Sequence, residues 1–323
     1  MELGEPVTPP EFISAVEHSE STCPWHDKSE SSATPMDEND GEDDSPMPKN
    51  LGGKLKQKML KAGDTPPDAD EVEVSYKTVK NLSYTVTDKG KTKKKLQPIF
   101  QDSNPKKYPL KYAPHHLVPG NESLKDTPLV VFLGDDDVIK NFNEAGQASK
   151  IVKGKSVGYD VNCAENGVWL PSPYAISMGS NLWGAEAGLV ALEESQLGTD
   201  AVKMVMNFRA SYVAKSIEAS GGRQFHMRHV DYSDLVRKVL EKIAHKIRVL
   251  AKGGCPIIKE KKSGDKMEPP MGLPGRLNAL SGEMKTLLVG GVWRSPAFAD
   301  GNTETYANTL DEAAQTPEVA KIL

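Results

Sequence analysis

The stretch 113-APHHLVPGNESLK-125 decides the fold, because it sets His115 and His116 side by side in a chain with seven histidines among 323 residues. On a strand, adjacent side chains point to opposite faces, so we expect one imidazole on each face. An apolar Leu-Val-Pro follows the pair, and the Gly-Asn step after it favours a turn. This pattern suits a site where one histidine binds a metal and the other exchanges protons. The alternative is a pair of ordinary strand-end histidines.

Two downstream elements could complete such a site. In 165-ENGVWLP-171, Asn166 and Gly167 form a predicted hairpin turn before a short strand. His226 and His229 stand just before a predicted helix in H-x-x-H spacing, which commonly brings two imidazoles to one metal. A histidine pair, an asparagine at a turn and two histidines near a helix, in this order, indicate a ββα metal finger with long insertions.

The charge distribution divides the chain into an acidic tail and a mildly basic body. Residues 1–50 hold 13 acidic and 2 basic side chains, a balance of −11, whereas the remaining 38 basic and 32 acidic residues give a balance of +6. The tail is rich in Ser, Pro, Asp and Glu and is predicted to be disordered. A basic body is compatible with a polyanionic partner such as nucleic acid, although a balance of this size is also ordinary.

Three regions are predicted after the tail. Residues 51–107 combine a linker, which contains a short basic helix, with a small β-rich segment. Residues 108–252 form the domain that contains the histidine pairs. Residues 253–323 form a helical C-terminal extension with one further helix and an apolar strand.

Within the histidine-containing domain, the sequence predicts one strand and three helices around the motifs. The run 128-PLVVFL-133 is typical of a strand. One helix is expected from Asp135 or Asp136 and another from Thr199 or Asp200, where each side chain could cap the first turn. A long amphipathic helix is expected over 233-SDLVRKVLEKIAHKIRVLAKGG-254, with its two final glycines as the stop.

The cysteines and the apolar runs bear on the compartment. Cys23, Cys163 and Cys255 make no disulfide framework, which predicts synthesis in a reducing cytoplasm. Cys163 is expected to be buried and inert rather than a metal ligand. Cys23 and His26 have the C-x-x-H spacing of half a zinc site, but without a partner pair nearby the sequence favours a docking motif or no role. No apolar run approaches the roughly 20 residues of a membrane helix, and the acidic N-terminus is unlike a signal peptide.

Three motifs, PHHLVPGNESLK, GYDVN…ENGVWLPSPYA and GRQFHMRHVDYSDLVRKVLEKI, resemble nucleases of the HNH/endonuclease VII superfamily, in the branch named for an Ala-His-His motif. The resemblance covers roughly residues 108–250. It implies an α+β, mostly helical fold with a ββα-metal core of the His-Me finger type and helical insertions, behind the disordered acidic N-terminus.

Two features depart from the family pattern. Pro114 stands where alanine is usual, which removes one backbone donor at the start of the strand. The spacing is also long, with 50 residues from His116 to Asn166 and 60 from Asn166 to His226. The insertions must therefore fold outside the core.

The resemblance implies a divalent metal ion held by His115, His226 and His229. Imidazole ligands suit Zn²⁺, Ni²⁺ or Mn²⁺ better than they suit Mg²⁺, which prefers a cage of oxygens. Nucleases of this type nevertheless often work with Mg²⁺, so all four ions stay open. The ion would stabilise charge at the phosphate and at the leaving 3′ oxygen.

The resemblance also assigns the residues that handle protons and substrate. His116 would be the general base, since an imidazole with a pKa of about 6.5 is largely neutral at pH 7. Asn166 would orient His116 and fix its tautomer. Arg223 or Arg228 would clamp a neighbouring phosphate.

These assignments predict a metal-dependent endonuclease that hydrolyses phosphodiester bonds in DNA. Proteins of this branch are often antibacterial toxins, so we expect an effector made in the bacterial cytoplasm and exported, for example by a type VI secretion system, into a target cell. Expected partners are DNA, a cognate immunity protein and a secretion-system component or chaperone, with no membrane. The alternatives are an RNase of the same fold and a non-catalytic, metal-stabilised adaptor module.

Overall fold

The computed structural model describes eleven segments of the chain, which include both sequence elements around the histidine pairs. They are residues 23–26, 51–68, 70–88, 90–133, 138–142, 148–153, 157–176, 199–226, 230–250, 255–256 and 270–290. The α-helices in these segments are α1 (Gly52–Lys61), α2 (Thr199–Ala219), α3 (Val230–Val249) and α4 (Leu273–Val289). In this part of the chain, none of the helices has the length and apolarity required to cross a membrane.

The strands of the described segments pair as three antiparallel two-stranded sheets. Strands β1 (Glu71–Asp88) and β2 (Lys91–Pro109) form a long hairpin. Strand β3 (Lys111–His116) pairs with β6 (Gly167–Ser172), which is distant in sequence, and β4 (Val138–Phe142) pairs with β5 (Ala148–Lys153) between them. The insertion between the two motif strands therefore contains a hairpin of its own.

The β3–β6 ladder fixes the position of the histidine pair. His115 lies opposite Val168 and His116 lies opposite Gly167 in the antiparallel register. The ladder extends by one bond, because the backbone N–H of Leu117 donates to the carbonyl of Asn166 at 2.9 Å. The end of β3 and the start of β6 are therefore held side by side.

Two cores support this ladder from different sides. The larger core contains the apolar face of α3 and most of the buried residues of α4, with Leu117 and Val168 from the β3–β6 region. A second core packs α2 against the β1–β2 hairpin through Phe208 and Phe100, whose rings are stacked. Burial of these apolar surfaces supplies most of the driving force for folding.

A third, small cluster packs α1 onto the outside of β6. Leu55 and Met59 of α1 are fully buried against Trp169. Gly167 lies directly beneath them, since a Cβ added there would stand 2.5 Å from the sulfur of Met59 and 3.0 Å from Cδ1 of Leu55. The helix predicted in the linker is thus part of the wall of the histidine region.

Three predictions made from the sequence differ from the structure. The run 128–133 contains a 3-10 helix (Pro128–Phe132) instead of a strand, because it buries Leu129, Phe132 and Leu133 at helical spacing in the larger core. The helix expected from Asp135 or Asp136 is replaced by β4 and β5, whose Val and Ile residues favour extended backbone.

The third difference concerns the tail predicted to be disordered. Its residues 23–26 form a turn in which Cys23, Pro24 and Trp25 are buried. The side chains of Cys23 and Trp25 belong to the larger core, so this short segment docks onto the folded body. The remainder of residues 1–50 lies outside the described segments.

Close packing at Gly167 predicts a steric effect of a single methyl group. Gly167→Ala should lower the free energy of unfolding by about 1–3 kcal/mol, because Met59 and Leu55 would have to move away from β6. Gly282→Ala is the matched control, since a Cβ there meets nothing within 4 Å inside α4 and should stabilise the helix by about 0.5–1 kcal/mol. Urea denaturation of both variants measures the difference, and equal stability would contradict the packing.

Candidate functional site

A cavity of about 410 Å³ opens at the end of β3 and brings three histidines together. His115, His116 and His226 all line it. Lys56 of α1, Glu122 and Tyr174 are among the other residues that line it. The cavity joins two histidine elements that are far apart in sequence.

The two adjacent histidines face the same cavity, whereas strand alternation predicted opposite faces. His115 is 1% exposed and His116 is 9% exposed, so neither ring lies on an open surface. His116 is the last residue of β3, where the chain leaves the ladder for the loop that follows. Strict alternation holds within a strand and does not extend through its end.

The ring of His115 is packed between two other rings. Its centroid lies 4.9 Å from that of His226 and 4.9 Å from that of Tyr232, in edge-to-face geometry. The hydroxyl of Tyr232 donates to the carbonyl of Leu117 at 2.7 Å, which ties the start of α3 to the chain just after the histidine pair. The backbone N–H of His226 donates to the carbonyl of Pro171 at 2.7 Å, which fixes His226 beside β6.

His116 forms a hydrogen bond with Asn162 that determines which ring nitrogen carries a proton. Nε2 of His116 lies 3.0 Å from Oδ1 of Asn162. The same oxygen accepts the backbone N–H of Leu51 at 2.9 Å, so it is an acceptor. A neutral His116 must therefore donate from Nε2, which leaves the lone pair on Nδ1 as its basic position.

Behind Asn162, an ion pair connects the loop to α1. Nζ of Lys58 lies 2.6 Å from Oδ2 of Asp160, and Oδ1 of Asp160 accepts the backbone N–H of Asn162 at 2.8 Å. Burial lowers the pKa of His116, and the hydrogen bond that His116 donates to Asn162 and the charge of Asp160 oppose this effect in part. The ring is therefore predominantly neutral at pH 7, as a general base must be.

Asn166 has a different environment from the one predicted for it. Its side-chain oxygen accepts from the backbone N–H of Val118 at 2.7 Å and from Oγ of Ser281 at 2.9 Å. Its amide nitrogen donates to the carbonyls of Val118 at 3.0 Å and Val161 at 2.8 Å. Among the described residues, Asn162 and not Asn166 is thus the asparagine that bonds the ring of His116, and Asn166 holds together the loops on which the histidines stand.

The remaining predicted residues lie away from the cavity or outside the described residues. Arg223 donates from a guanidinium nitrogen to the carbonyl of Trp169 at 3.2 Å, and it is not one of the described residues that line the cavity. His229 and Arg228 fall outside the described segments. Cys163 is buried, and burial raises the pKa of its thiol to about 12, which is the environment of an inert cysteine.

The start of α1 forms one wall of the cavity. Gly52 and Gly53, the first residues of α1, line the cavity together with Lys56, and the acidic Glu122 lines it as well. The N-cap residue Leu51 makes no side-chain capping bond, and the first turn has no acidic residue. Because a helix N-terminus carries a partial positive charge and presents backbone N–H groups, α1 is the part of the lining that would attract an anion.

Several of these residues were missed in the sequence. Asn162 and Asp160 belong to the GYDVN motif, so a search for polar residues in that motif could have found them. Lys56 and Lys58 lie in the segment predicted to be a linker, and no local pattern places them beside the histidines. Their role depends on the packing of α1 against β6.

A second group of metal-binding side chains lies at another place in the fold. Cys23, His26 and Cys255 each offer a ligand atom, and these atoms all lie within 4.8 Å of one another. Such a cluster could hold a metal ion. The C-x-x-H spacing of Cys23 and His26 was interpreted as a docking motif or as having no role, because no partner pair lies nearby in the sequence. Cys255 was not linked to it because the contact is long-range.

Comparison with known proteins identified no relative. The chain has no match among family models, among curated proteins or among solved structures. The nuclease resemblance in the three motifs therefore remains a prediction, and a functional assignment depends on the geometry of the cavity.

The side chain of Asn166 forms four hydrogen bonds, so we expect that its removal lowers the stability of the fold. Asn166→Ala should lower the free energy of unfolding by at least about 2 kcal/mol, because it leaves buried groups of Val118 and Val161 without their partner. Ser281→Ala removes only one donor from the same oxygen and should cost about 1 kcal/mol. Denaturant unfolding compares the two, and an equal or smaller loss in Asn166→Ala would contradict this assignment.

Proposed function

We propose that this protein is a metal-dependent endonuclease that hydrolyses phosphodiester bonds in DNA, with His116 as the general base. The observation that carries the proposal is the shared cavity, where His115, His116 and His226 meet beside the N-terminus of α1. Such a reaction needs three components. They are imidazoles that bind a metal, a neutral imidazole that accepts a proton, and a positively charged surface, here the start of α1, that binds a phosphate.

The metal would be held by His115 and His226, with His229 as the third ligand predicted from the sequence. The rings of His115 and His226 are close enough for one ion to bind a nitrogen of each, with centroids 4.9 Å apart. A bound divalent ion, whether Mg²⁺, Mn²⁺, Zn²⁺ or Ni²⁺, would supply Lewis-acid stabilisation of charge on the phosphate. Two neutral imidazoles favour the transition metals over Mg²⁺.

His116 would activate the attacking water. Its Nδ1 takes a proton from water as the oxygen attacks phosphorus, and the bond from phosphorus to the leaving 3′ oxygen breaks. Asn162 accepts the Nε2–H throughout, so the ring keeps its orientation and its tautomer. The proton then passes to solvent or to the leaving oxygen, which restores the neutral base.

The substrate would bind along the wall formed by α1. A phosphate at the start of α1 receives backbone N–H groups and the charge of Lys56. Tyr174 lies at the same cavity and is 53% exposed, so its ring is available to stack on a sugar or base. These features favour a nucleic-acid substrate over the non-catalytic adaptor module, which would need no phosphate-binding wall.

The proposed biological role rests on the resemblance of the three sequence motifs to the nuclease family. We propose an antibacterial effector that is exported by a specialised secretion system, such as type VI, into the cytoplasm of a target cell. The acidic residues 1–50 would bind a secretion-system component or chaperone, and an immunity protein would protect the producing cell. An immunity protein with an acidic surface would match the cationic wall at α1.

The base assignment predicts the effect of removing His116. His116→Ala should reduce the nicking rate of supercoiled plasmid roughly 10²–10⁴-fold, as expected for a general base, and EDTA should abolish the wild-type activity. His245→Ala is the control, because this exposed histidine of α3 bonds Arg248 on the helix surface, is not among the residues that line the cavity and should retain full activity. Gel assays with plasmid and with total RNA, each with Mg²⁺, Mn²⁺, Zn²⁺ or Ni²⁺, measure both substrates.

Three outcomes of this assay separate the candidate functions. Metal-dependent nicking of plasmid that is lost in His116→Ala supports the endonuclease. Degradation of RNA with intact plasmid keeps the mechanism and changes the substrate. Failure of metal-loaded wild-type protein to cleave either substrate would contradict the proposal and favour the adaptor.

The hydrogen bond to His116 predicts a separate effect at Asn162. Asn162→Ala should lower kcat by about 10–100-fold, because the ring of His116 loses its fixed orientation. KM should rise as well, because the same substitution removes the bond that holds Leu51 at the start of α1. Asn207→Ala, at an exposed asparagine of α2, is the matched control and should leave both constants unchanged. An unaltered kcat in folded Asn162→Ala would refute the positioning role.

A further inference from the structure

We propose that Cys23, His26 and Cys255 form a structural zinc site that fastens the N-terminal segment 23–26 to the chain beyond α3. This site is separate from the histidine cavity, since none of its three residues is among the residues that line that cavity. The inference does not depend on the nuclease proposal.

The geometry of the three ligands matches one tetrahedral ion. Their ligand atoms lie within 4.8 Å of one another. Two thiolates on one Zn²⁺, with Zn–S bonds of about 2.3 Å, stand about 3.8 Å apart, so the cluster needs only a small contraction. Cys23 and Cys255 are 1% and 0% exposed, and both are free thiols, whereas His26 is half-buried.

The backbone presents these ligands from two fixed positions. Residues 23–26 form a tight turn in which the N–H of His26 donates to the carbonyl of Cys23 at 3.0 Å. The carbonyl of Pro24 accepts the N–H of Gly272 at 2.9 Å, next to the start of α4, and Trp25 is buried in the larger core. The turn is therefore docked by contacts that do not involve the ligand atoms.

The other side of the site is formed where α3 ends. The backbone N–H of Cys255 donates to the carbonyl of Leu250 at 3.0 Å, which anchors this cysteine just beyond the helix. An ion shared by Cys23 and Cys255 would close a loop that contains the entire histidine region. Closing a long loop reduces the conformational entropy of the unfolded chain and so stabilises the fold.

The ligand chemistry selects zinc. Two thiolates and one imidazole are soft donors that favour Zn²⁺ over Mg²⁺ or Ca²⁺, and the two thiolate charges neutralise the ion. Three protein ligands leave one tetrahedral position for a fourth ligand. Both cysteines are buried in the larger core and belong to distant parts of the chain, so we assign the site a structural role.

Cobalt substitution in the full-length protein tests the proposal. Zinc is removed under reducing conditions and Co²⁺ is titrated, with the expectation of a thiolate-to-cobalt charge-transfer band that saturates at one equivalent of cobalt per chain. Cys23→Ser and Cys255→Ser should lose the band and the bound equivalent of zinc. Cys163→Ser is the matched control, and His115→Ala distinguishes the histidine cavity; both should retain the band.

A conservative variant and a stability measurement distinguish the loss of a metal ligand from misfolding of the serine variants. His26→Cys replaces one ligand by another and should keep the site, with a stronger charge-transfer band. Chelation of the metal from wild-type protein should lower Tm, and addition of Zn²⁺ should restore it. A wild-type protein that shows no thiolate-to-cobalt band, a Cys255→Ser variant with the wild-type band, or a Cys23–Cys255 disulfide in place of metal would overturn the proposal.

Discussion

The antiparallel pairing of β3 with β6, closed by the buried amide of Asn166, is the constraint on which the candidate site depends. The pairing places the histidine pair beside a second strand. The side-chain amide of Asn166, just before β6, bonds the backbone of Val118, just after β3, and the hydroxyl of Ser281 in α4. Around this connection, His226 is held by a backbone bond to Pro171 and α1 is held by packing on Trp169. Each wall of the cavity is thus attached to the same two strands.

Two asparagines have different tasks around the histidine pair. Asn166 satisfies backbone groups at a point where two loops meet, which is a requirement of folding. Asn162 uses one oxygen to bind both the backbone of Leu51 and the ring of His116. The second arrangement couples the start of α1 to the tautomer of His116, so the position of the helix and the orientation of the ring depend on each other.

Sequence periodicity and turn residues predicted those helices and strands whose formation depends on residues close together in the sequence. The amphipathic helices α2 and α3 and the strand of the ENGVWLP motif lie where periodicity and turn residues placed them. The hairpin of β4 and β5 was predicted as a helix, because a local pattern does not reveal the pairing that joins its Val- and Ile-containing strands. The spacing of the histidines singled out His115, His116 and His226, which line the cavity. Lys56, Lys58 and Asn162 were not singled out, because their role arises from contacts between distant segments.

The two groups of metal-binding side chains differ in their chemistry and in the part of the fold that they serve. The histidine cavity contains imidazoles beside the start of α1, and under our proposal these would hold an ion that meets a substrate. The cysteine cluster contains thiols within the core, which under our proposal would hold an ion that joins chain segments.

The most direct test of the account is an anomalous diffraction map of the wild-type protein crystallised with Mn²⁺ and a short DNA duplex. The account predicts a manganese peak within bonding distance of His115 and His226, with a phosphate of the DNA between that ion and Nδ1 of His116. A map with DNA bound elsewhere and no peak in the histidine cavity would contradict it.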